Sequence, residues 1–319
     1  MTYTAGSTIE ATDYNTFISS GGSNINTVWG SGSLTYGWGQ TGLASVAATN
    51  TITASQWASL VNTLASMGSQ TGTALTSRTA PVAGNNISIL PAVLTDIINC
   101  TTNRGNAAGS GSQYTGWTGT NSKTSSTTGA FTITFTNTVT FPSAAQARYF
   151  WNAGGLVKIQ VGKSATGQTG DPEWNDLATT LCGAIFISGG VATQSIAGTS
   201  YTGTTQIGGT GTPTTLATTT GWYTLTAGAG ATIVYKQFAD TSPYTSNYIQ
   251  HTLAKGAGAD TLVISTTWVN AEGDTISGGT AASGATVGTA PCTIVTYYPP
   301  STTYLTAAWG TPSVAATVA

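Results

Sequence analysis

Hydrophobic positions in the first third of the chain recur with the period of an α-helix. The clearest segment runs from Thr53 to Met67, where Thr53 suits the N-cap and the large apolar side chains fall on one face. Those side chains are Trp57, Leu60, Val61, Leu64 and Met67. The pattern predicts an amphipathic helix that ends at Gly68.

Two further helices are predicted in the same third. One begins with Pro91 as its first residue, runs through Val93 and Ile97, and stops at Gly105. The other begins after Glu10 and is interrupted at Gly21-Gly22. Short helices with one apolar stripe each favour a small module that packs against neighbours, so residues 1–107 are predicted to form a helical attachment or oligomerisation module.

From Phe131 the hydrophobic period changes to two. Apolar residues alternate with threonines from Phe131 to Phe141, which is typical of a strand with one buried and one half-exposed face. Further strands are predicted at Leu156–Val161, Gly183–Ile187, Gly221–Ala227, Thr232–Phe238, Tyr248–Leu253, Thr261–Val269 and Cys292–Tyr298. A helix is expected at Asp171–Leu181, where Asp171 and Pro172 suit the cap and the first turn.

The fold class follows from these elements. Residues 108–129 are rich in Gly, Ser and Thr and are predicted to be a linker. Residues 130–319 are predicted to form an antiparallel β-sandwich, jelly-roll-like or Ig-like, because strand patterns are separated by turn residues. The whole chain is therefore predicted to be mainly β with a small α part.

The composition argues against several classes of function. Only 6% of the 319 residues are charged, against roughly a quarter in ordinary domains, and the net charge is −2. The basic residues are scattered, which argues against nucleic-acid binding.

Apolar runs are too short for membrane insertion, and the N-terminus lacks a signal-peptide pattern, so synthesis in a cytoplasm is expected. Weak charge gives little protection against self-association, which favours burial in an assembly.

Candidate catalytic groups are few. His251 lies inside a strand pattern with no acidic neighbour in sequence, so a sheet histidine is favoured over a general base. Asp171, Glu173 and Asp176 complement the dipole of the predicted 171–181 helix, with a metal site or a carboxylate pair as the alternative. A calcium site among Asp240, Asp260, Glu272 and Asp274 stays open. The sequence predicts no enzyme, no cofactor and no metal.

Three separated cysteines are expected to be small buried hydrophobes, with one disulfide as the alternative: Cys100, Cys182 and Cys292.

Aromatic residues in loop-like contexts are candidates for contact with a glycan or a protein partner. They are Trp117, Tyr201, Tyr244 and Trp309. The alternative is that they are core residues, since most aromatics are buried and no pairing of these four is visible in the sequence.

Three N-terminal motifs and one central motif carry a family resemblance. They are Tyr3-x-Ala-Gly-x-Thr-Ile9-x-Ala11-x-x-Tyr14-Asn15, Tyr36-Gly-Trp-Gly-Gln40, Ile52-Thr-Ala-Ser-Gln-Trp57-x-x-Leu60, and Ala147-Arg-Tyr-Phe-Trp-Asn-Ala-Gly-Gly155. Together they resemble tail-associated virion structural proteins of tailed bacteriophages, notably those that infect cyanobacteria. The resemblance covers much of residues 3–60 and 131–160. In the later β region only the general style of the sequence is similar.

The resemblance implies a baseplate or tail-fibre attachment component in the virion, built as a symmetric oligomer, a trimer or a hexamer, among other tail proteins. A host-surface glycan is a further expected partner. None of the motifs is catalytic, so no active site is carried over. The structural motif consists of Arg148, Tyr149, Phe150, Trp151, Asn152, Gly154 and Gly155. Arg148 can bind a carboxylate or backbone carbonyls, and the two glycines permit a turn into the next strand. The alternative function is a stand-alone carbohydrate-binding adhesin module.

Overall fold

A computed structural model describes residues 10–19, 23–83, 90–108, 121–124, 131–163, 170–190, 192–271, 275–277, 280–282 and 291–319. The chain is mainly β, with antiparallel sheets and a few short helices, which confirms the predicted fold class.

Short helices cluster in the first third, and two more lie within the β part. Their bounds are α1 Ala11–Ile18, α2 Ile25–Trp29, α3 Ala54–Thr71, α4 Leu90–Thr102, α5 Ala144–Asn152 and α6 Asp171–Asn175, the last continued by a π-helix at Asp176–Leu181. The helix expected at 171–181 is therefore present, although its second half has the wider π turn. The predicted interruption at Gly21-Gly22 lies outside the described residues.

Helix α3 begins as predicted and ends later. Thr53 and Gln56 form a reciprocal capping box at its start. The helix continues through Gly68 and ends at Gly72, whose φ of 67° is left-handed. Gly68 serves close packing instead, because a Cβ there would lie 2.6 Å from Leu75 Cδ1. The predicted end at Gly68 was wrong for this reason.

The strands follow the Thr-rich alternation. Their bounds are β1 Asn121–Thr124, β2 Phe131–Thr140, β3 Leu156–Lys163, β4 Ala184–Ile187, β5 Gln194–Ile196, β6 Thr199–Tyr201, β7 Thr204–Ile207, β8 Thr215–Leu216, β9 Thr232–Phe238, β10 Tyr248–Lys255, β11 Thr261–Asn270, β12 Thr275–Ser277, β13 Thr280–Ala282, β14 Pro291–Tyr298 and β15 Ser313–Val318.

Two antiparallel sheets form the sandwich. One has the order β1-β14-β3-β4-β7 and the other β15-β2-β11-β10-β9-β8. Strand β1 lies beside β15, and β7 lies beside β8, so the sheets stack with matching edges. Two small ribbons, β5-β6 and β12-β13, complete the pairing.

The segment Gly221–Ala227, predicted as a strand, is not one. It forms turns, in which the Gly221 backbone N–H donates to Thr224 Oγ1 at 3.0 Å. Gly221 packs so closely against Gly190 that a Cβ would meet the Gly190 Cα at 2.8 Å. The apolar spacing of this segment reflects the burial of Trp222 and Leu225 by these turns rather than a pleated strand.

Threonines on the outer face of the larger sheet pair across strands. Thr134 Oγ1 lies 3.3 Å from Thr267 Oγ1, and Thr136 Oγ1 lies 3.3 Å from Ser265 Oγ. Thr261 donates to Thr140 at 3.3 Å at the end of the same row. Cross-strand hydroxyl pairs of this kind stabilise a sheet without ionic side chains.

The helices and the sandwich share one apolar cluster. It contains Phe17, Trp57 and Leu64 of the helical part together with Phe135 and Trp268 of the sandwich. Strand β1 lies inside residues 108–129 and pairs with β14, so part of the predicted linker belongs to a sheet. The division into units 1–107 and 130–319 stays a prediction.

One residue of the sandwich interior breaks the apolar pattern. Asn137 on β2 is fully buried, and neither Nδ2 nor Oδ1 has a hydrogen-bond partner among the described protein atoms. It lies opposite Ile264 of β11. A buried amide without partners carries the free-energy cost of its desolvation.

We expect Asn137→Val to raise the free energy of unfolding by about 1–2 kcal/mol, because a β-branched apolar residue removes the buried polar group. Urea denaturation measures this. Thr138→Val, at the next and more exposed position of β2, is the matched control and is expected to change stability by less than about 0.5 kcal/mol. A loss of stability in Asn137→Val would mean that the amide is bound by internal water or by residues outside the described ones.

Candidate functional site

The motif at residues 147–155 lies on helix α5, between β2 and β3. Ser143 is the N-cap, and its hydroxyl accepts from the Gln146 backbone N–H at 3.2 Å. This helix was missed in the sequence, although the cap Ser143 three residues before Gln146 was a signal for it. Gly154, with φ of 94°, then reverses the chain into β3, as the motif predicted.

Asn152 is the polar centre of the motif. Its Nδ2 donates to the backbone oxygen of Gly37 at 3.0 Å and to that of Leu34 at 3.4 Å. Its Oδ1 accepts from the Tyr223 hydroxyl at 2.7 Å, and its backbone oxygen accepts from Trp38 Nε1 at 3.0 Å. One side chain therefore joins helix α5, the segment before α3 and the sandwich.

Arg148 and Tyr149 hold the same segment from the other side. The Arg148 guanidinium donates to the Ser31 backbone oxygen at 2.7 Å, so it binds a carbonyl rather than a carboxylate. The Tyr149 ring packs against Gly39, where a Cβ would lie 2.5 Å from Tyr149 Cδ2. Since Gly39 also has a φ of 74°, only glycine fits this contact without strain.

The motif's remaining aromatics are core residues. Phe150 and Trp151 are fully buried, and the Trp151 ring stacks on Trp222 with centroids 5.6 Å apart and an interplanar angle of 17°. The Gly155 backbone N–H donates to the Phe150 oxygen at 2.8 Å and closes the turn. These contacts anchor α5 in the sandwich, so the motif packs the sandwich on one side and binds the 31–39 segment on the other.

Carboxamide side chains hold the irregular segment between α2 and α3 by binding both groups of a backbone residue. Asn15 donates to the Val46 oxygen at 2.8 Å and accepts from its N–H at 2.9 Å. Asn26 does the same to Leu43, at 2.8 Å for both bonds. Gln40 binds Thr306 in this way, at 3.0 Å and 2.8 Å. Each amide thus makes the two hydrogen bonds to a backbone residue that a neighbouring strand would otherwise make.

A cavity of about 110 Å³ lies where these parts meet. The segment after α4 lines it with Asn103, Arg104 and Asn106, the sandwich adds Gln194 and Tyr223, and α5 adds Trp151 and Asn152. The rest of the lining consists of Thr35, Thr102, Gly105, Gly189, Ala192 and Thr193. No acidic side chain is among these described lining residues.

One cation, Arg104, lines the cavity, and it has no carboxylate partner in the described part of the chain. Described ion pairs are Arg78 with Asp96 and Lys163 with Asp171. Arg104 is instead stacked on Tyr36, 3.9 Å from the ring centroid, and donates to Thr35 and Thr101. Burial raises the pKa of Tyr223, while the charges of Arg148 and Arg104 act to lower it.

The loop that these contacts fix presents an exposed leucine. Leu34 is 77% exposed and has a φ of 52°, a backbone conformation that leucine rarely adopts. Asn152 binds its carbonyl, Arg148 binds Ser31, and the Tyr36 N–H donates to the Ser33 oxygen at 3.0 Å. The loop is therefore held rigidly with an apolar side chain at its tip.

The aromatics predicted to contact a glycan are not exposed where the structure describes them. Tyr201, Tyr244 and Trp309 are 8%, 9% and 2% exposed. Tyr201 packs on Phe186 with ring centroids 5.3 Å apart. Tyr201 ends strand β6, and the side chains of all three residues are largely covered in the protomer, which leaves little of each ring for a ligand. Their contact with a glycan or a protein partner stays a prediction. Trp117 lies outside the described residues.

His251 is a buried structural histidine. It is 1% exposed, its Nδ1 lies 2.9 Å from Thr266 Oγ1, and its ring stacks on Tyr235 at 5.3 Å. Burial lowers its pKa to about 3, so the ring is neutral. The hydrogen-bonded sheet histidine favoured from the sequence is confirmed.

Asp171, Glu173 and the cysteines are paired or buried where the structure describes their side chains. Asp171 pairs with Lys163, and burial raises the pKa of Glu173. Among the residues described, no three His, Cys, Asp or Glu side chains are grouped so as to hold a metal ion. Cys100 and Cys182 are free and buried, and burial raises their pKa to about 11 and about 12. The side chain of Cys292 lies outside the described part.

We expect Asn152→Asp to lower the free energy of unfolding by about 2–4 kcal/mol, since it removes the two donated bonds and buries a carboxylate against backbone carbonyls. Urea denaturation monitored by tryptophan fluorescence measures this. Asn62→Asp, on the exposed face of α3, is the matched control, with an expected change under about 0.5 kcal/mol. Equal stability of the two variants would contradict the role assigned to Asn152.

We expect stability to fall by about 2 kcal/mol between pH 7 and pH 5 on account of His251. The pKa of His251 is lowered on folding, so the unfolded chain binds the proton first. The contribution of this histidine is thus complete above the unfolded pKa, near 6.5, and is lost as the pH falls toward 3. Denaturation at the two pH values should show a smaller difference for His251→Asn, and an unchanged difference would refute the assignment.

Comparison of the chain with protein-family models, with curated proteins and with solved structures finds no match. Among the described helices, none is both long enough and apolar enough to cross a membrane. The interlocked motif residues and the cavity beside them are therefore the features from which a function has to be inferred.

Proposed function

We propose that the chain is a non-enzymatic structural component of a phage tail, of the baseplate or fibre-attachment type. It works in the virion as a symmetric homo-oligomer, a trimer or a hexamer, in contact with other tail proteins. The observation that carries this proposal is the way in which the sequence motifs that resemble tail proteins fit together.

Two of those motifs lie more than a hundred positions apart and interlock. Trp38 donates to the Asn152 backbone, and Asn152 in turn donates to the Gly37 carbonyl. Gly39 fits under the Tyr149 ring. Motifs that complete one another in space are what a shared structural unit requires, and this supports treating the resemblance as one signature rather than as separate coincidences.

The third motif belongs to the same unit. Trp57 of α3 packs against Tyr14 and Phe17 of α1, with ring centroids 6.1 Å and 6.0 Å away. Tyr14 also donates to the Gln56 oxygen at 3.4 Å, and Asn15 binds Val46. The residues of the N-terminal motifs therefore have packing roles, in keeping with a protein whose task is to hold a shape.

Attachment is assigned to the helical part, where Leu34 is the anchor. An exposed leucine in a left-handed conformation costs free energy in an isolated protomer. A rigid loop that presents an apolar side chain binds a partner with little loss of conformational entropy. Val82 and Ile98, 67% and 43% exposed, also belong to this part of the chain.

The adhesin alternative predicts a clustered strip of exposed aromatic rings. Of the four candidate aromatics, the three whose side chains the structure describes, Tyr201, Tyr244 and Trp309, are buried, and this favours the tail proposal. A monomeric chain would nevertheless favour it over the tail proposal, so the oligomeric state separates the two.

We expect the chain to elute as a trimer or hexamer in size-exclusion chromatography with light scattering at micromolar concentration. Leu34→Asn is expected to shift it toward the monomer or to abolish its incorporation into particles, while its thermal stability stays the same or rises, because asparagine tolerates the left-handed backbone. The rise in stability is expected to be under about 1 kcal/mol.

Ile233→Thr is the matched control, since Ile233 is 45% exposed on a strand of the sandwich. It is expected to leave the assembly unchanged. A wild-type monomer that is absent from purified particles would overturn the tail proposal, and an unaffected Leu34→Asn oligomer would overturn the role of Leu34.

A further inference from the structure

The cavity between α4, α5 and the sandwich is bordered by a buried hydrogen-bond donor that the described part of the protein does not use. Trp151 borders it and is fully buried, and its indole N–H has no partner among the described atoms. A buried donor of this kind has a free-energy cost unless something accepts its hydrogen bond. An acceptor placed in the cavity would remove that cost.

The acceptors of the lining are largely occupied. Gln194 Oε1 accepts from the Gly189 N–H at 3.0 Å, and Asn106 Oδ1 accepts from the Ser195 N–H at 2.9 Å. Asn152 Oδ1 is taken by Tyr223. The Arg104 guanidinium carries five N–H groups, of which three have the described protein partners Thr35 and Thr101. The amide donors are also used, since Asn103 Nδ2 donates to Thr73 Oγ1 at 3.0 Å and Gln194 Nε2 donates to the Gly105 oxygen at 2.7 Å. The donors that the described protein atoms leave for a ligand are the Trp151 indole N–H and two N–H groups of Arg104.

We propose that this cavity binds a carboxylated sugar, a hexuronic acid unit, with its carboxylate toward Arg104 and its ring hydroxyls against the amide side chains. The charge argues for an anion, since Arg104 in the lining has no carboxylate partner among the described residues and the lining has no acid. The proposal does not rest on the tail function.

The polar groups around the charge argue for a sugar rather than a simple anion. Asn103, Asn106 and Gln194 line the cavity together with Thr102 and Thr193, and sugar hydroxyls both donate and accept. A volume of about 110 Å³ accommodates part of one sugar unit, so the rest of the chain would continue outside. Ala192 and Thr193 are exposed at this edge.

The probes are methyl glucuronide and methyl glucoside, which differ only in the carboxylate, together with acetate and a blocked dipeptide that has a free C-terminal carboxylate. Saturation-transfer NMR and calorimetric titration of the full chain compare them. We expect the glucuronide to bind about tenfold more tightly than the glucoside, because the carboxylate adds charge-assisted hydrogen bonds.

Ala192→Trp fills the edge of the cavity and is expected to weaken glucuronide binding at least about tenfold, whereas Ala229→Trp, at an exposed alanine in a distant turn, changes nothing. Trp151→Phe removes the indole donor and is expected to weaken binding about three- to tenfold. Thermal unfolding of each variant checks that it is folded.

Equal binding of glucuronide and glucoside would overturn the role of the charge. Binding of acetate or the dipeptide as tightly as the glucuronide would overturn the sugar assignment, and the absence of glucuronide binding to the folded wild-type chain would overturn the site. The oligomeric state, measured on the same samples, tests the tail proposal separately.

Discussion

Neutral side-chain amides bound to backbone are the interaction on which the rest of this structure depends. The long segment between α2 and α3 contains no strand. Trp38 and Gln40 donate their backbone N–H groups to carbonyls of α2, but the rest of the segment needs other partners, and a buried peptide group without a partner is costly. Asn26 and Gln40 each supply a donor and an acceptor to one residue, and Asn152 binds two carbonyls of the segment, those of Leu34 and Gly37. Where other proteins use ion pairs, this chain uses carboxamides.

The scarcity of charge then has a structural meaning. The described cations lie against carboxylates or aromatic rings: Lys255 lies 4.2 Å from the Trp222 ring centroid and Lys236 lies 3.8 Å from that of Tyr248. Cations held in this way contribute packing as well as charge. On the outer sheet face, hydroxyl pairs stabilise the structure without charge: Thr134 with Thr267, and Thr136 with Ser265. The surface is stabilised by short, local contacts that do not need net charge.

The sequence predicted those elements whose pattern repeats over several turns or pleats. Strand β2 alternates over ten residues and helix α3 has a cap and a full apolar stripe, so both were evident. Strands β5 to β8 have two to four residues each and are too short to show a period. The burial of Tyr244 and Trp309 depends on how loops fold back, which local composition does not encode.

The candidate site was predictable only in part. The motif from Arg148 to Gly155 was recognised as a packing unit, and its turn at Gly154 was expected. Its partners Gly37, Trp38 and Tyr223 are distant in sequence, and a single sequence gives no pairing for them. The cavity is formed by segments that are likewise distant in sequence, so no local sequence pattern predicted it.

The bond between Gln40 and Thr306 has a consequence for the order of synthesis. Its two partners are separated by 266 positions, and Gln40 takes both backbone groups of Thr306. During translation the helical part emerges first, and it has to wait for nearly the whole chain before this bond can form. Until then Trp29 and Trp38, whose rings pack 6.2 Å apart beside the segment, lack part of their cover. The nascent chain therefore passes through a stage in which its helical part is made but is not yet covered by the C-terminal segment.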